Sequence, residues 1–171
     1  WTRQNELIFS DIPADTVYRA DKSVVFKPSG KSNGLTMDNG GLIIRCEHGG
    51  RRVVRIEADG AVKVLATKHD GKKLNSPNDA VVHKNGTIFF TDPTYGLEGR
   101  PLEQTVEGVY SLAPFGAPVL IAADFKKPNG IALSPDGTKL YVADTEGNHI
   151  RAFDVAKDSK TSGGAVLCTV P

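Results

Sequence analysis

The sequence predicts an all-β chain, a β-propeller of four-stranded antiparallel blades. Three observations carry this reading. Helical periodicity is nearly absent, and short runs rich in Val, Ile, Tyr, Phe and Thr alternate with Gly, Asn, Asp and Pro. Asn39-Gly40, Asp59-Gly60, Asn85-Gly86 and Asp136-Gly137 separate such runs. Asn, Asp and Gly reach left-handed backbone angles at low cost, so these pairs mark tight turns between antiparallel strands. The strands also recur as a group. "SNGLTMDNGGLIIRC", "PNDAVVHKNGTIFFTD" and "PNGIALSPDGTKLYVAD" each hold an Asn, a short apolar strand, a turn ending in Gly and a more apolar second strand.

In chain order, "ELIFSDI", "TVYRAD" and "SVVFKP" read as the last three strands of a first blade, with Trp1 as the tail of its inner strand (residues 1–29). The second blade (30–73) adds "RRVVRIEA" and "AVKVLAT" to its Asn-bearing pair. The third (74–124) adds "GVYSLA" and "APVLIAA", and the fourth (125–171) adds "HIRAFDV" and "AVLCTV". Four strands per unit of roughly 40–50 residues is the period of a propeller. A β-sandwich also has many hairpins, but gives no reason for them to recur in fours. The chain thus holds roughly three and three-quarter blades. A ring closes by bringing its last blade against its first. The chain is therefore expected to be part of a longer protein, able to self-associate through its open blade faces when alone.

Bulk properties narrow the function. Among 171 residues, 21 Lys plus Arg balance 20 Asp plus Glu, for a net charge of +1. No basic surface is advertised, so no nucleic-acid partner is expected. Apolar runs such as "PVLIAA" fall far short of a membrane span. A soluble protein, cytoplasmic or periplasmic, is expected. The start, Trp1-Thr2-Arg3-Gln4, has no apolar leader, though one lost with a missing N-terminus would leave no trace. Cys46 and Cys168 are expected as free buried thiols rather than a pair.

Candidate site residues follow from propeller geometry. Inner strands line the central channel, and the residues that begin them converge on one mouth. Asn33, Asn78 and Asn129 hold that position. An amide oxygen is a neutral, hard ligand suited to Ca²⁺. Asn before a strand is also a common turn former, and Asn33, followed by Gly34 with no Pro before it, reads as one. Asp92, Asp144 and Tyr95 lie near second-strand ends, where either a site role or a turn role fits. Zinc is a poor match, since His48, His69, His83 and His149 show no paired spacing.

"LNSPNDAVVHKNGTIFFTDPTYGL" and "KKPNGIALSPDGTKLYVAD" resemble the paired signature of the gluconolactonase family, which includes senescence marker protein and luciferin-regenerating enzyme. "NELIFSDIPADTVYR" resembles its N-terminal hairpin, so the likeness runs from about Glu6 to Val155. The resemblance implies a six-bladed propeller that binds one divalent cation, Ca²⁺ or another, and hydrolyses a small-molecule lactone. It implies Asn129 as a metal ligand, Asn78 as a second asparagine facing metal and substrate, and Asp79 as its support. Ser76 falls where some members carry a substrate-contacting arginine, so sugar preference does not transfer. Tyr95, in its Pro/Gly-flanked loop, is a candidate either to roof a substrate pocket or merely to cover a hairpin. A glutamate ligand is expected before Trp1, and an aspartate serving as ligand and general base beyond Pro171. This chain alone is therefore expected to be inactive. The alternatives are a non-catalytic propeller serving as an interaction module, and a related esterase or phosphotriesterase on the same scaffold.

Overall fold

The computed structural model describes residues 1–170. Pro171, beyond which the sequence reading places a general base, lies outside them. The first sheet holds β1 (Ile8–Asp11), β2 (Thr16–Arg19) and β3 (Val24–Phe26). The second holds β4 (Ser32–Met37), β5 (Ile43–Glu47), β6 (Arg52–Ile56) and β7 (Val62–Ala66). A short hairpin, β8 (Lys68–His69) with β9 (Lys72–Lys73), follows it. The third sheet holds β10 (Ala80–Val82), β11 (Ile88–Asp92), β12 (Glu107–Leu112) and β13 (Val119–Phe125). The fourth holds β14 (Pro128–Leu133), β15 (Lys139–Asp144), β16 (His149–Val155) and β17 (Thr161–Thr169). Each sheet is a sequential meander with every neighbour antiparallel.

The all-β propeller reading therefore stands. Strand β1 lies beside β4, β4 beside β10, and β10 beside β14, so successive sheets meet along their inner strands. Trp1 departs from its expected place. It lies outside any strand and is 72% exposed.

Two apolar seams hold the sheets together. Between the second and third lie Ile44, Cys46, Val53, Leu74, Phe90 and Tyr110. Between the third and fourth lie Phe89, Val109, Ile131, Leu140, Val142 and Phe153. The neighbours Phe89 and Phe90 point opposite ways, as the two-residue strand period requires, so β11 is buried on both faces. Fully burying one such ring is worth about 2–3 kcal/mol. The seam between the first two sheets is more polar. Arg45 stacks over Phe26 at 5.3 Å, and Ser10 Oγ lies 3.1 Å from Ser32 Oγ. Cys46 is buried and free as expected. Cys168 is also free but exposed, because β17 has its outer positions uncovered. Among the described residues no helix is long and apolar enough to cross a membrane.

Candidate functional site

The inner strands carry their asparagines on a shared device. In β4, Ser32 pairs with Glu47 and Leu35 with Arg45, so Asn33-Gly34 occupies a bulge with one extra residue. In β14, Pro128 pairs with Asp144 and Ile131 with Val142, which puts Asn129-Gly130 in the same bulge. A bulge bends the strand and re-aims a side chain. In the third sheet Asn78-Asp79 sits just ahead of β10, tied to β11 by Asn78 N–H donating to Thr91 O (2.8 Å) and Thr91 N–H to Asp79 O (3.0 Å).

Thr91 joins two of the three asparagines. Its carbonyl accepts from Asn78, and its hydroxyl donates to Asn129 O at 2.7 Å. Asp79 completes the seam: Oδ1 accepts from Ala80 N–H (2.9 Å) and Oδ2 from Ile131 N–H (3.3 Å). On the other side, Gly34 N–H donates to Asn78 O at 2.7 Å. A Cβ on Gly34 would lie 2.6 Å from Asp79 Cα and 2.7 Å from Asn78 O, so this close approach requires glycine. Three consecutive inner strands are thus fastened at the end where the asparagines lie.

The two amide side chains differ in surroundings. Asn78 is 3% exposed. Asn129 is half-buried, and its Nδ2 donates to Thr145 Oγ1 at 3.1 Å, which leaves Oδ1 uncommitted. Two neutral amide oxygens suit a hard divalent cation but do not complete its shell of six to eight oxygens. Among the described residues, no group of three or more His, Cys, Asp or Glu side chains gathers to hold a metal. The pair fits part of a Ca²⁺-type shell, and only part.

The remaining candidates brace the site. Ser76 is fully buried; its hydroxyl donates to Pro93 O (2.6 Å) and accepts from Gly96 N–H (2.9 Å). It thereby holds the 3-10 turn Tyr95–Leu97, on which Tyr95 is exposed. The same turn is held from the fourth sheet. Lys127 Nζ donates to Thr94 Oγ1 (2.6 Å) and Glu107 Oε1 (2.5 Å) and lies 5.6 Å from the Tyr95 ring centre.

The nearby carboxylates are all committed to backbone amides. Burial pushes the Asp79 carboxyl above its usual range, against the pull of the Ala80 and Ile131 amides. Burial raises Asp92 further, to about 7, although Asn75 N–H donates to its Oδ2 at 2.7 Å. Burial also pushes on Asp144, but the amides of Lys126, Lys127 and Gly147, helped by His149, outweigh it and hold that carboxyl low.

Sequence reasoning passed over His48. It is buried, and its Nε2 lies 3.4 Å from Asn33 Nδ2, so the first asparagine has a specific partner as well as a bulge. Burial lowers the His48 pKa, with Glu98 opposing and Arg100 reinforcing. The signal was positional: His48 follows Glu47, the last residue of β5, as Pro93 follows Asp92 after β11. The surface hollow bounded by Asn39, Ile44, Leu112 and Phe115 lies at the opposite, turn-bearing ends of these strands.

Antiparallel sheets meeting along bulged, amide-bearing inner strands define a β-propeller with its candidate ligand site at one mouth of the ring. Residues 1–170 match the family described as the SMP-30/Gluconolactonase/LRE-like region, and the chain belongs to that family. It is 36% identical to a gluconolactonase of Zymomonas mobilis subsp. mobilis, over 85% of this chain and 48% of that protein. Among solved structures, a gluconolactonase of Xanthomonas campestris is 36% identical with a TM-score of 0.87, covering 98% of this chain and 60% of that one. A putative gluconolactonase gives the same TM-score at 34% identity, covering 96% and 60%. The chain thus spans about half the length of the curated relative. A virginiamycin B lyase of Staphylococcus aureus (16% identity, TM-score 0.66, 98% of this chain and 54% of that one) shows likeness of fold alone.

Proposed function

We propose that this chain supplies the amide side of the active site of a sugar-lactone hydrolase that works with one divalent cation of the Ca²⁺ type. The observation that supports it best is the single residue, Thr91, that fastens Asn78 and Asn129 to neighbouring starts of inner strands. A bound cation at such a mouth would polarise the lactone carbonyl and stabilise the developing oxyanion.

In this reading Asn129 and Asn78 turn their amide oxygens to the cation, and Asn78 also meets the substrate. Asp79 and Ser76 act through what they position, namely the inner-strand seam and the Tyr95 turn. Tyr95 covers the substrate. Asp79, Asp92 and Asp144 each spend carboxylate oxygens on backbone N–H groups. The base that deprotonates water is therefore sought outside this set.

The test uses the full-length protein. Gluconolactone hydrolysis should need added Ca²⁺ and stop with a chelator. Asn129→Ala and Asn78→Ala should each weaken Ca²⁺ binding by about tenfold or more in a calorimetric titration. This chain alone should not turn the lactone over. Chelator-resistant hydrolysis, or undiminished cation affinity in both variants, would remove the basis for the reading. Preference for a phosphotriester or another ester over the lactone would move the protein to a different reaction on the same scaffold.

A further inference from the structure

We infer that one or more ordered water molecules are built into the seam between the second and third sheets, bound by Arg51, Asn75, Asp92 and Tyr110. Four buried side-chain atoms have no hydrogen-bond partner among the described residues: Arg51 Nη2, Asn75 Oδ1, Asp92 Oδ1 and Tyr110 Oη. Buried polar groups left unpaired are rare, and internal water commonly satisfies those that the protein itself leaves over.

Their neighbours bring the four together. Asn75 N–H donates to Asp92 Oδ2 (2.7 Å), and Asn75 Nδ2 donates to Asp92 O (3.1 Å) and Val106 O (2.9 Å). Asn75 therefore spans the end of β11 and the approach to β12. Arg51 Nε donates to Leu74 O at 2.6 Å, one residue from Asn75. Gly108 pairs with Asp92 across the strands. The Tyr110 ring crosses over Gly108, where a Cβ would lie 2.7 Å from Cζ. Only glycine permits that crossing, and it carries the phenol hydroxyl towards Asp92.

The chemistry of the set selects the ligand. Arg51 Nη2 and Tyr110 Oη offer hydrogens, Asn75 Oδ1 accepts them, and Asp92 Oδ1 accepts when ionised and donates when protonated. A water molecule, with two hydrogens and two lone pairs, satisfies both kinds at once. An anion would face two acceptors and a cation would face the Arg51 guanidinium, so neither matches. An apolar occupant would leave all four unpaired. The site is separate from the mouth asparagines but adjoins their support, since Asp92 directly follows Thr91.

A high-resolution crystal structure of the full-length protein tests this, together with water-relaxation measurements that detect long-lived internal water. The expected result is ordered density within hydrogen-bond distance of at least three of the four atoms. Tyr110→Phe keeps the ring stacked on Phe90 at 5.3 Å and removes only the hydroxyl. It should shorten the residence time of the bound water by about tenfold. Tyr110 Oη bonded directly to Asp92 Oδ1, a metal ion in the density, or a seam with no long-lived water in the unaltered protein would each overturn the inference.

Discussion

Asp92 and Asp144 end the second strands of successive sheets, and each accepts backbone N–H groups from the segment leading into its own inner strand. Their titrations nevertheless move in opposite directions, Asp92 up to about 7 and Asp144 down. The difference lies in the surroundings. Strand β11 is covered on both faces, and Asp92 shares that buried seam with Phe90 and Tyr110. Strand β15 alternates between buried and more open positions, and Asp144 has three amides with His149 Nε2 at 3.8 Å. A repeated sequence position fixes what a carboxylate holds. The neighbouring sheets fix what holding it costs.

The sharpest way to break this comparison uses Phe89 and Tyr141, which stand three residues before the two aspartates. Phe89 is fully buried between sheets, whereas Tyr141 is only partly covered. Phe89→Ala should cost about 3–5 kcal/mol in urea denaturation, and Tyr141→Ala in this chain less than about 1 kcal/mol. Equal losses would show that Tyr141 is covered after all.

Next in size is Asp92→Asn. With the folded carboxyl at about 7 and the unfolded one near 3.8, stability is complete below about pH 4, declines as pH rises, and reaches its floor above about pH 7. The amide cannot ionise, so the variant should lack this decline and be more stable at pH 8, by on the order of 3 kcal/mol. Chemical denaturation across that pH range measures it. A variant destabilised at pH 8 would contradict a costly buried charge.

Asp144→Asn should have a smaller effect than Asp92→Asn and the opposite sign. The lowered folded pKa gives stability that is present above the ordinary carboxylate range and lost as pH falls through it. Replacing the carboxylate should cost about 1–2 kcal/mol at pH 7 and little in acid. A loss of the same size at both ends of the range would mean that the charge is irrelevant.

Much of the fold was legible because its determinants are local. Asn39-Gly40, Asn85-Gly86 and Asp136-Gly137 mark turns by backbone preference alone, and the recurrence of Asn33, Asn78 and Asn129 placed the inner strands. The hairpin Lys68–Lys73 turns on Asp70-Gly71, a pair of the same kind with both residues at positive φ, and the sequence reading left it unremarked at the end of the second blade. The contact between Asn33 and His48 was hidden because it joins two strand ends across a bulge. So was the role of Thr91, whose hydroxyl reaches into the next sheet, and so was the exposure of Cys168, which depends on what lies beyond β17.

Where β4 meets the Asn78-Asp79 segment, main chain rests directly on main chain, with Gly34 as the point of contact. The separation of the two strands there is consequently a matter of covalent dimensions rather than of side-chain size. Substitutions elsewhere can shrink or swell the seams without altering that gauge, whereas one methyl group at position 34 would prise the rim apart and carry Asn33 away from Asn78.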